Sequence, residues 1–376
     1  MSLISFRPEI PEVSTLVVKV GSRILSSDEN SSAEKRVRSL IDAIAELKQS
    51  GIRTLLVSSG AIAYGMKALH LDKRPKSIPM KQACASIGQI RLMNMYEALF
   101  FEHDIPAGQV LLTWDDLRNK KRYLNLRNTF FHLLDCGAVP VVNENDSVGV
   151  DEIKFGENDT LAAQIAMLVH ADVFVNLTDI NGLYDKNPKT NSDARHIPVV
   201  DRITPEIFRY ANGSGTEISV GGMITKLKAA ETVTRAGICA IIGNGFNGNL
   251  FDVLKNQEAG TVFLPSPKIM PSKRCWIAFT GKKEGTLIID DGAKRAVIEK
   301  GKSLLPAGIK RVAGVFKPGC MVDVCDEMNN VIARGLVNYS SIEISKIAGC
   351  KTTEIERILG QKTFDEIIHR DNMALI

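Results

Sequence analysis

Short apolar runs alternate with stretches of helical spacing through the first two-thirds of the chain, and this alternation predicts the fold. Thr15-Leu16-Val17-Val18-Lys19-Val20 reads as a strand buried on both faces, ending on a lysine and followed by Gly21-Ser22. Residues 53–57, 110–112, 138–142, 172–177 and 238–242 carry the same signature. Between the first two, Val37, Leu40, Ile41, Ile44 and Leu47 share one face of a helix over 33–49, which Gly51 is placed to end. Further helices are expected from residue 61 and over 80–103, 125–135, 161–169, 204–210 and 223–236. Regular strand–helix alternation of this kind implies an α/β sandwich built on a mostly parallel sheet. The Asn-, Asp- and Pro-rich segment 182–193 reads as an excursion of turns.

The pattern changes after Leu264-Pro265-Ser266-Pro267, a Pro/Ser stretch of the kind that separates domains. Beyond it, short β-rich pieces at 286–289, 310–316, 321–325 and 331–338 surround a helix opened by Asp291-Gly292-Ala293. Helical material is expected over 341–359. The expected organisation is therefore a first domain over 13–264, a linker over 265–273, a small β-barrel-like domain over 274–365 and a tail over 366–376.

Length and composition agree with two domains, since 376 residues exceed what one core usually supports. A net charge of +4 is too small to argue for nucleic acid or an anionic membrane by itself. The first 13 residues carry Glu9 and Glu12 and lack the apolar core of a secretory leader. Nothing approaches the roughly 20 apolar residues of a membrane span. Seven scattered cysteines without a CxxC pair suit reduced thiols in a cytoplasmic protein.

Candidate chemistry gathers at four strand ends: Lys19-Val20-Gly21-Ser22, Ser58-Ser59-Gly60-Ala61, Asn143-Glu144-Asn145-Asp146 and Thr178-Asp179. In a parallel sheet these share one edge, where open α/β sheets bind ligands. Taken alone, Lys19 reads equally as a solvated lysine at a strand end, and the backbone N–H groups of Gly21 and Ser22 could face an anion. Ser59 offers a hydroxyl and Gly60 a close backbone approach at a helix start. The loop 143–159 holds Asn143, Asp146, Asp151, Glu152, Lys154, Glu157, Asn158 and Asp159. It lacks EF-hand spacing, and it suits either a solvated acidic loop or a zwitterionic small molecule held by carboxylates, amides and a lysine. Asn158 and Asp159 also stand where a helix N-cap is expected. Gly221-Gly222-Met223-Ile224-Thr225-Lys226 is a glycine pair before a helix with a lysine one turn in, suited to phosphate oxygens without being a Walker A loop.

The ordered series Val-Lys-Val-Gly-Ser, Val-Ser-Ser-Gly-Ala, Asn-Glu-Asn-Asp, Gly-Glu-Asn-Asp, Leu-Thr-Asp and Gly-Gly-Met-Ile-Thr-Lys resembles the amino-acid kinase superfamily over about residues 13–264. Within it the series is most similar to the glutamate 5-kinase family. Residues 291–309 resemble a PUA domain, and His369-Arg370-Asp371-Asn372-Met373 is similar to the tail of those kinases. The resemblance implies a three-layer αβα sandwich with a PUA-like barrel. It implies ATP-dependent phosphorylation of L-glutamate to glutamyl 5-phosphate, the first step of proline biosynthesis, with Mg²⁺ bound through the ATP phosphates and no metal site built from protein ligands. It implies that Lys19 and Lys226 contact the transferred phosphoryl group, oriented by Asp159. Ser59, Gly60, Asn143, Asp146, Lys154 and Asn158 would hold glutamate. Lys19, Gly21, Thr178, Asp179 and the run Val220, Gly221, Gly222, Met223, Ile224, Thr225, Lys226 would hold ATP. Val220 stands where the family often has a threonine, which leaves only a backbone contact there.

Acetylglutamate, aspartate or carbamate kinases of the same superfamily are the neighbouring alternatives. A second alternative is RNA binding, because PUA domains often bind RNA and Lys282, Lys283, Lys294, Arg295, Lys300, Lys302, Lys310 and Arg311 cluster in that domain. An ordinary solvated face explains the same residues. The resemblance further implies inhibition by proline, a homo-oligomer (dimer or tetramer) and, since the chain ends at Ile376, a separate glutamyl phosphate reductase as functional partner.

Overall fold

β1 (Thr15–Val20) forms where expected, and every one of its six residues is buried. The computed structural model describes residues 4–25, 30–149, 158–188, 190–211, 222–267, 269–281 and 283–376. They divide into two compact units between Ile269 and Met270.

In the first unit β1 is followed by α1 (Ser22–Leu25), α2 (Asn30–Gln49), β2 (Arg53–Val57), α3 (Ala61–Ala68), α4 (Ile78–Phe101) and β3 (Ala107–Leu112). Next come α5 (Trp114–Arg118), α6 (Lys120–Asp135), β4 (Val139–Glu144), α7 (Asn158–Leu168) and β5 (Val173–Thr178). β6 (Leu183–Tyr184), β7 (His196–Ile197), β8 (Val199–Val200), α8 (Pro205–Ala211), α9 (Met223–Arg235), β9 (Cys239–Asn244), α10 (Leu250–Lys255) and β10 (Thr261–Phe263) complete it. The eight-stranded sheet runs β3-β4-β2-β1-β5-β9-β10-β8. β1, β2, β3, β4, β5 and β9 are mutually parallel, whereas β10 pairs antiparallel with β9. The sheet is thus mostly parallel, as expected.

Alternate β1 residues show why the layers form. Leu16, Val18 and Val20 pack with Val37, Ile41, Ile44 and Leu47 of α2 and with Leu92, Tyr96 and Phe100 of α4. The opposite face of β1 is covered by α7, which packs in turn on α9. A strand covered on both faces is expected to be largely apolar, and this one is, apart from Thr15 at its start and Lys19 near its end. β8, β10 and α10 are absent from the sequence-based expectation, because elements of two to six residues are too short to show a period.

Where α3 meets α4, backbone touches backbone. A Cβ on Gly65 would lie 1.8 Å from the Cys84 carbonyl oxygen, and one on Gly88 equally close to that of Ala61. Only glycine permits this approach, and it pins α4 beside the turn that ends β2.

The second unit opens with α11 (Ser272–Phe279), which starts inside the expected linker. It continues through β11 (Lys283–Ile289), α12 (Asp291–Ile298), β12 (Ile309–Ala313), β13 (Met321–Cys325), β14 (Val331–Leu336), α13 (Ser341–Ile347), α14 (Ile355–Leu359) and β15 (Met373–Leu375). Its mixed sheet runs β12-β11-β13-β14-β15 around Leu287, Ile289, Val322, Val324, Ile344 and Ile347. The segment expected to be a separate tail instead supplies the edge strand β15, antiparallel to β14, and buries Ile367 and Ile368 completely. Of the basic residues noted above, Lys283 is bridged to Asp323 and Lys294 to Asp326, while Lys282 lies outside the described residues.

All seven cysteines are free thiols. No helix among the described residues is long and apolar enough to cross a membrane.

Candidate active site

The four strand ends singled out by sequence belong to β4, β2, β1 and β5, which are immediate neighbours in the sheet. Their polar residues form two clusters joined at the first turn of α7.

The first cluster centres on Asp159, 2% exposed in that turn. Lys19 Nζ lies 2.5 Å from its Oδ1, and Lys226 Nζ lies 3.1 Å from its Oδ2. The Thr225 hydroxyl donates to Oδ2 at 2.8 Å, and Asn176 Nδ2 donates to Oδ1 at 3.0 Å. The placement follows from local structure. Lys19 is the one charged residue of β1, Asn176 stands opposite it in register on β5, and Thr225 and Lys226 open α9 behind its N-cap Gly222. Burial alone would raise the Asp159 carboxyl. The charges of Lys19 and Lys226, with hydrogen bonds from Lys19 and Thr225, outweigh burial and hold it well below the usual carboxylate range. Burial pushes the Lys226 ammonium below its ordinary value; Asp159 pulls it back up, and Lys19 adds to the fall. Two buried lysines thus converge on one buried carboxylate. Asp179, which also acts on Lys226, is itself bridged to Arg23 at 2.6 Å.

The second cluster starts at the neighbouring residue. Asn158 Nδ2 lies 2.7 Å from the Ser58 carbonyl oxygen, 3.0 Å from Ser59 Oγ and 3.1 Å from Asn143 Oδ1. Asn143 Nδ2 donates to Gln89 Oε1 of α4 at 2.8 Å. Ser58 Oγ and the buried Tyr96 hydroxyl share a 2.9 Å hydrogen bond. Burial drives the phenol's pKa up, so Tyr96 remains neutral. Gly60 caps α3 with φ at +92°, a left-handed conformation that favours glycine. Asp146 sits half-buried in the turn after β4, where Val148 N donates to Asn145 O at 3.1 Å.

Thr178 is buried at the end of β5 and donates to Asp179 Oδ1 at 3.2 Å. Met223 and Ile224 are half-buried in the first turn of α9. Gly21 differs from its sequence reading: its N–H donates to Leu177 O at 3.2 Å, extending the ladder to β5 instead of facing an anion. Lys154, Val220 and Gly221 lie outside the described residues. Sequence reading missed Asn176 and Gln89. Asn176 interrupts the otherwise apolar run 173–177, which was the available signal; Gln89 stands among Ser86 and Arg91 on α4 and carried none.

Residues 14–244 match the amino acid kinase family, and residues 285–359 match the PUA domain. A protein named glutamate 5-kinase from Thermoanaerobacter sp. (strain X514) is 47% identical over 362 residues, 96% of this chain and 97% of its own length. Proteins of the same name from Geobacter sulfurreducens and Carboxydothermus hydrogenoformans are each 46% identical. They align with 98% of this chain, over 99% and 100% of their own lengths respectively.

Proposed function

We propose that this chain, which belongs to the amino acid kinase family and within it to the glutamate 5-kinases, transfers the γ-phosphoryl group of ATP to the γ-carboxylate of L-glutamate. The products are glutamyl 5-phosphate and ADP. One observation carries the reading: Lys19 and Lys226 are buried about Asp159 at the carboxyl edge of a parallel sheet. A transferring phosphoryl group is anionic, and two ammonium groups preorganised in a water-poor site stabilise the charge that develops on it.

A carboxylate is already a nucleophile at neutral pH, so no general base is needed. The γ-carboxylate oxygen forms the new P–O bond in line while the bond to the β-phosphate oxygen breaks, and ADP leaves with that electron pair. Lys19 and Lys226 hold the equatorial and leaving oxygens, and Asp159 keeps both ammonium groups aimed. Ser59, Gly60, Asn143, Asp146, Lys154 and Asn158 hold glutamate. Gly21, Thr178, Asp179 and residues 220–226 hold the nucleotide, Gly21 through shape alone. Asp159 already receives four donors, so these residues suit Mg²⁺ carried on the ATP phosphates, where it would neutralise phosphate charge. The reactive acyl phosphate calls for a reductase to consume it.

The test is ADP release with glutamate, acetylglutamate, aspartate and carbamate as acceptors, with and without proline. Glutamate should give the highest kcat/KM; a clear preference for another acceptor overturns the reading.

A further inference from the structure

The direction of the second cluster is set by two backbone groups. A carbonyl can only accept, so the Asn158 nitrogen 2.7 Å from Ser58 O is a true amide donor. A backbone N–H can only donate, so the Asn143 atom 2.9 Å from Glu144 N is its oxygen. Asn143 must therefore turn its nitrogen to Gln89, and Gln89 must answer with Oε1 at 2.8 Å. No amide flip satisfies both ends. Gln89 is left presenting Nε2, and among the described residues this buried donor has no hydrogen-bond partner. Gln89 is 9% exposed, so solvent reaches it poorly.

Its position says what the donor is for. Gly88, next to it, is pressed against Ala61 of α3, and Ser86 Oγ lies 2.8 Å from Ser147 Oγ. The stretch 86–89 is thus wedged between the turn 58–61 and the turn 143–147, the two segments that carry Ser59, Asn143 and Asp146. A buried donor left without an acceptor is costly, and its cost is removed by a bound group that brings one.

We propose that Gln89 is a recognition residue of the acceptor site, its Nε2 donating to a carboxylate oxygen of the bound acidic amino acid while its Oε1 holds Asn143 toward Asn158 and Ser59. The proposal rests on the function proposed above. It differs from it in being about how the acceptor is gripped and not about which reaction follows.

Two variants test it: Gln89→Leu, and the near-isosteric Gln89→Glu assayed at pH 8.5, where the ionised form is favoured. Gln89→Glu still accepts from Asn143 but turns an anionic oxygen on the substrate. Wild type must first show glutamate-dependent ADP release; if it does not, the proposed function fails and not this inference. With that established, KM for glutamate should rise about tenfold in Gln89→Leu and further in Gln89→Glu, with KM for ATP and kcat near wild type. A glutamate KM within twofold of wild type in Gln89→Glu overturns the proposal, because a buried water would satisfy either side chain. A parallel change in kcat and both KM values, with a lowered melting temperature, also overturns it by assigning Gln89 a structural role.

Discussion

Two buried carboxylates, one in each unit, are each held by two cations, and they differ in where those cations stand. Asp159 is clasped by Lys19 and Lys226, whose side chains are 7% and 8% exposed. Asp323, on β13, is clasped by Arg334 at 2.7 Å and Lys283 at 3.1 Å, with side-chain exposures of 21% and 62%. Around Asp323, water solvates Lys283, and Arg334 also donates to Ala278 O at 2.9 Å, so the group ties β13, β14 and α11 together. Around Asp159, both ammonium groups are withdrawn from solvent at the sheet edge. The same residue types thus serve cohesion in one place and ligand binding in the other, and burial of the cations decides which.

Replacing the interior lysine should break the comparison most. Lys226→Met should lower kcat by about 10²–10³. Its ammonium has a folded pKa below the unfolded value, so at neutral pH the charge costs stability. The melting temperature should therefore hold steady or rise, as differential scanning calorimetry would read; a large fall would make the lysine structural. Arg334→Ala should do the reverse, costing up to about 3 kcal/mol by stripping a buried carboxylate of its principal partner, with kcat per folded molecule unchanged. Denaturant unfolding beside steady-state kinetics checks both halves.

A subtler change tests the coupling inside the first group. Asp159 raises the Lys226 pKa against burial, so Asp159→Asn should lower it further. The charged lysine is the active form, hence the alkaline limb of the kcat–pH profile should move to lower pH. A limb that stays put would remove Lys226 from the rate-limiting protonation. Lys283→Ala should have the smallest effect, since its charge is already solvated. Stability and kcat should both stay near wild type, and a substantial loss in either would erase the distinction between the two groups.

The motif residues were legible because each combines a local signal with a position. Lys19 ends an apolar run, Asp159 stands at a helix start and Lys226 follows a glycine pair. Asn176 carried only the weaker signal of a polar residue inside an apolar run, which does not name its partner, and Gln89, close to Ser86 and Arg91 on α4, carried none. The short strands β8, β10 and β15 were illegible for a related reason. Two or three residues have no periodicity, and they are strands only because a neighbour offers its ladder.

The sequence by itself determined the alternation of strands and helices, the change of character near residue 265 and the residue types at the sheet edge. These follow from local periodicity and from glycine, proline and capping chemistry, which need no distant partner. Only the tertiary structure decided that β4, β2, β1 and β5 are neighbours, that Lys19, Asp159 and Lys226 share one buried site, and that Gln89 ends a hydrogen-bond relay on an unpaired donor. Those outcomes depend on contacts between residues as far apart as Lys19 and Lys226, and on which side chains lose water when the layers close.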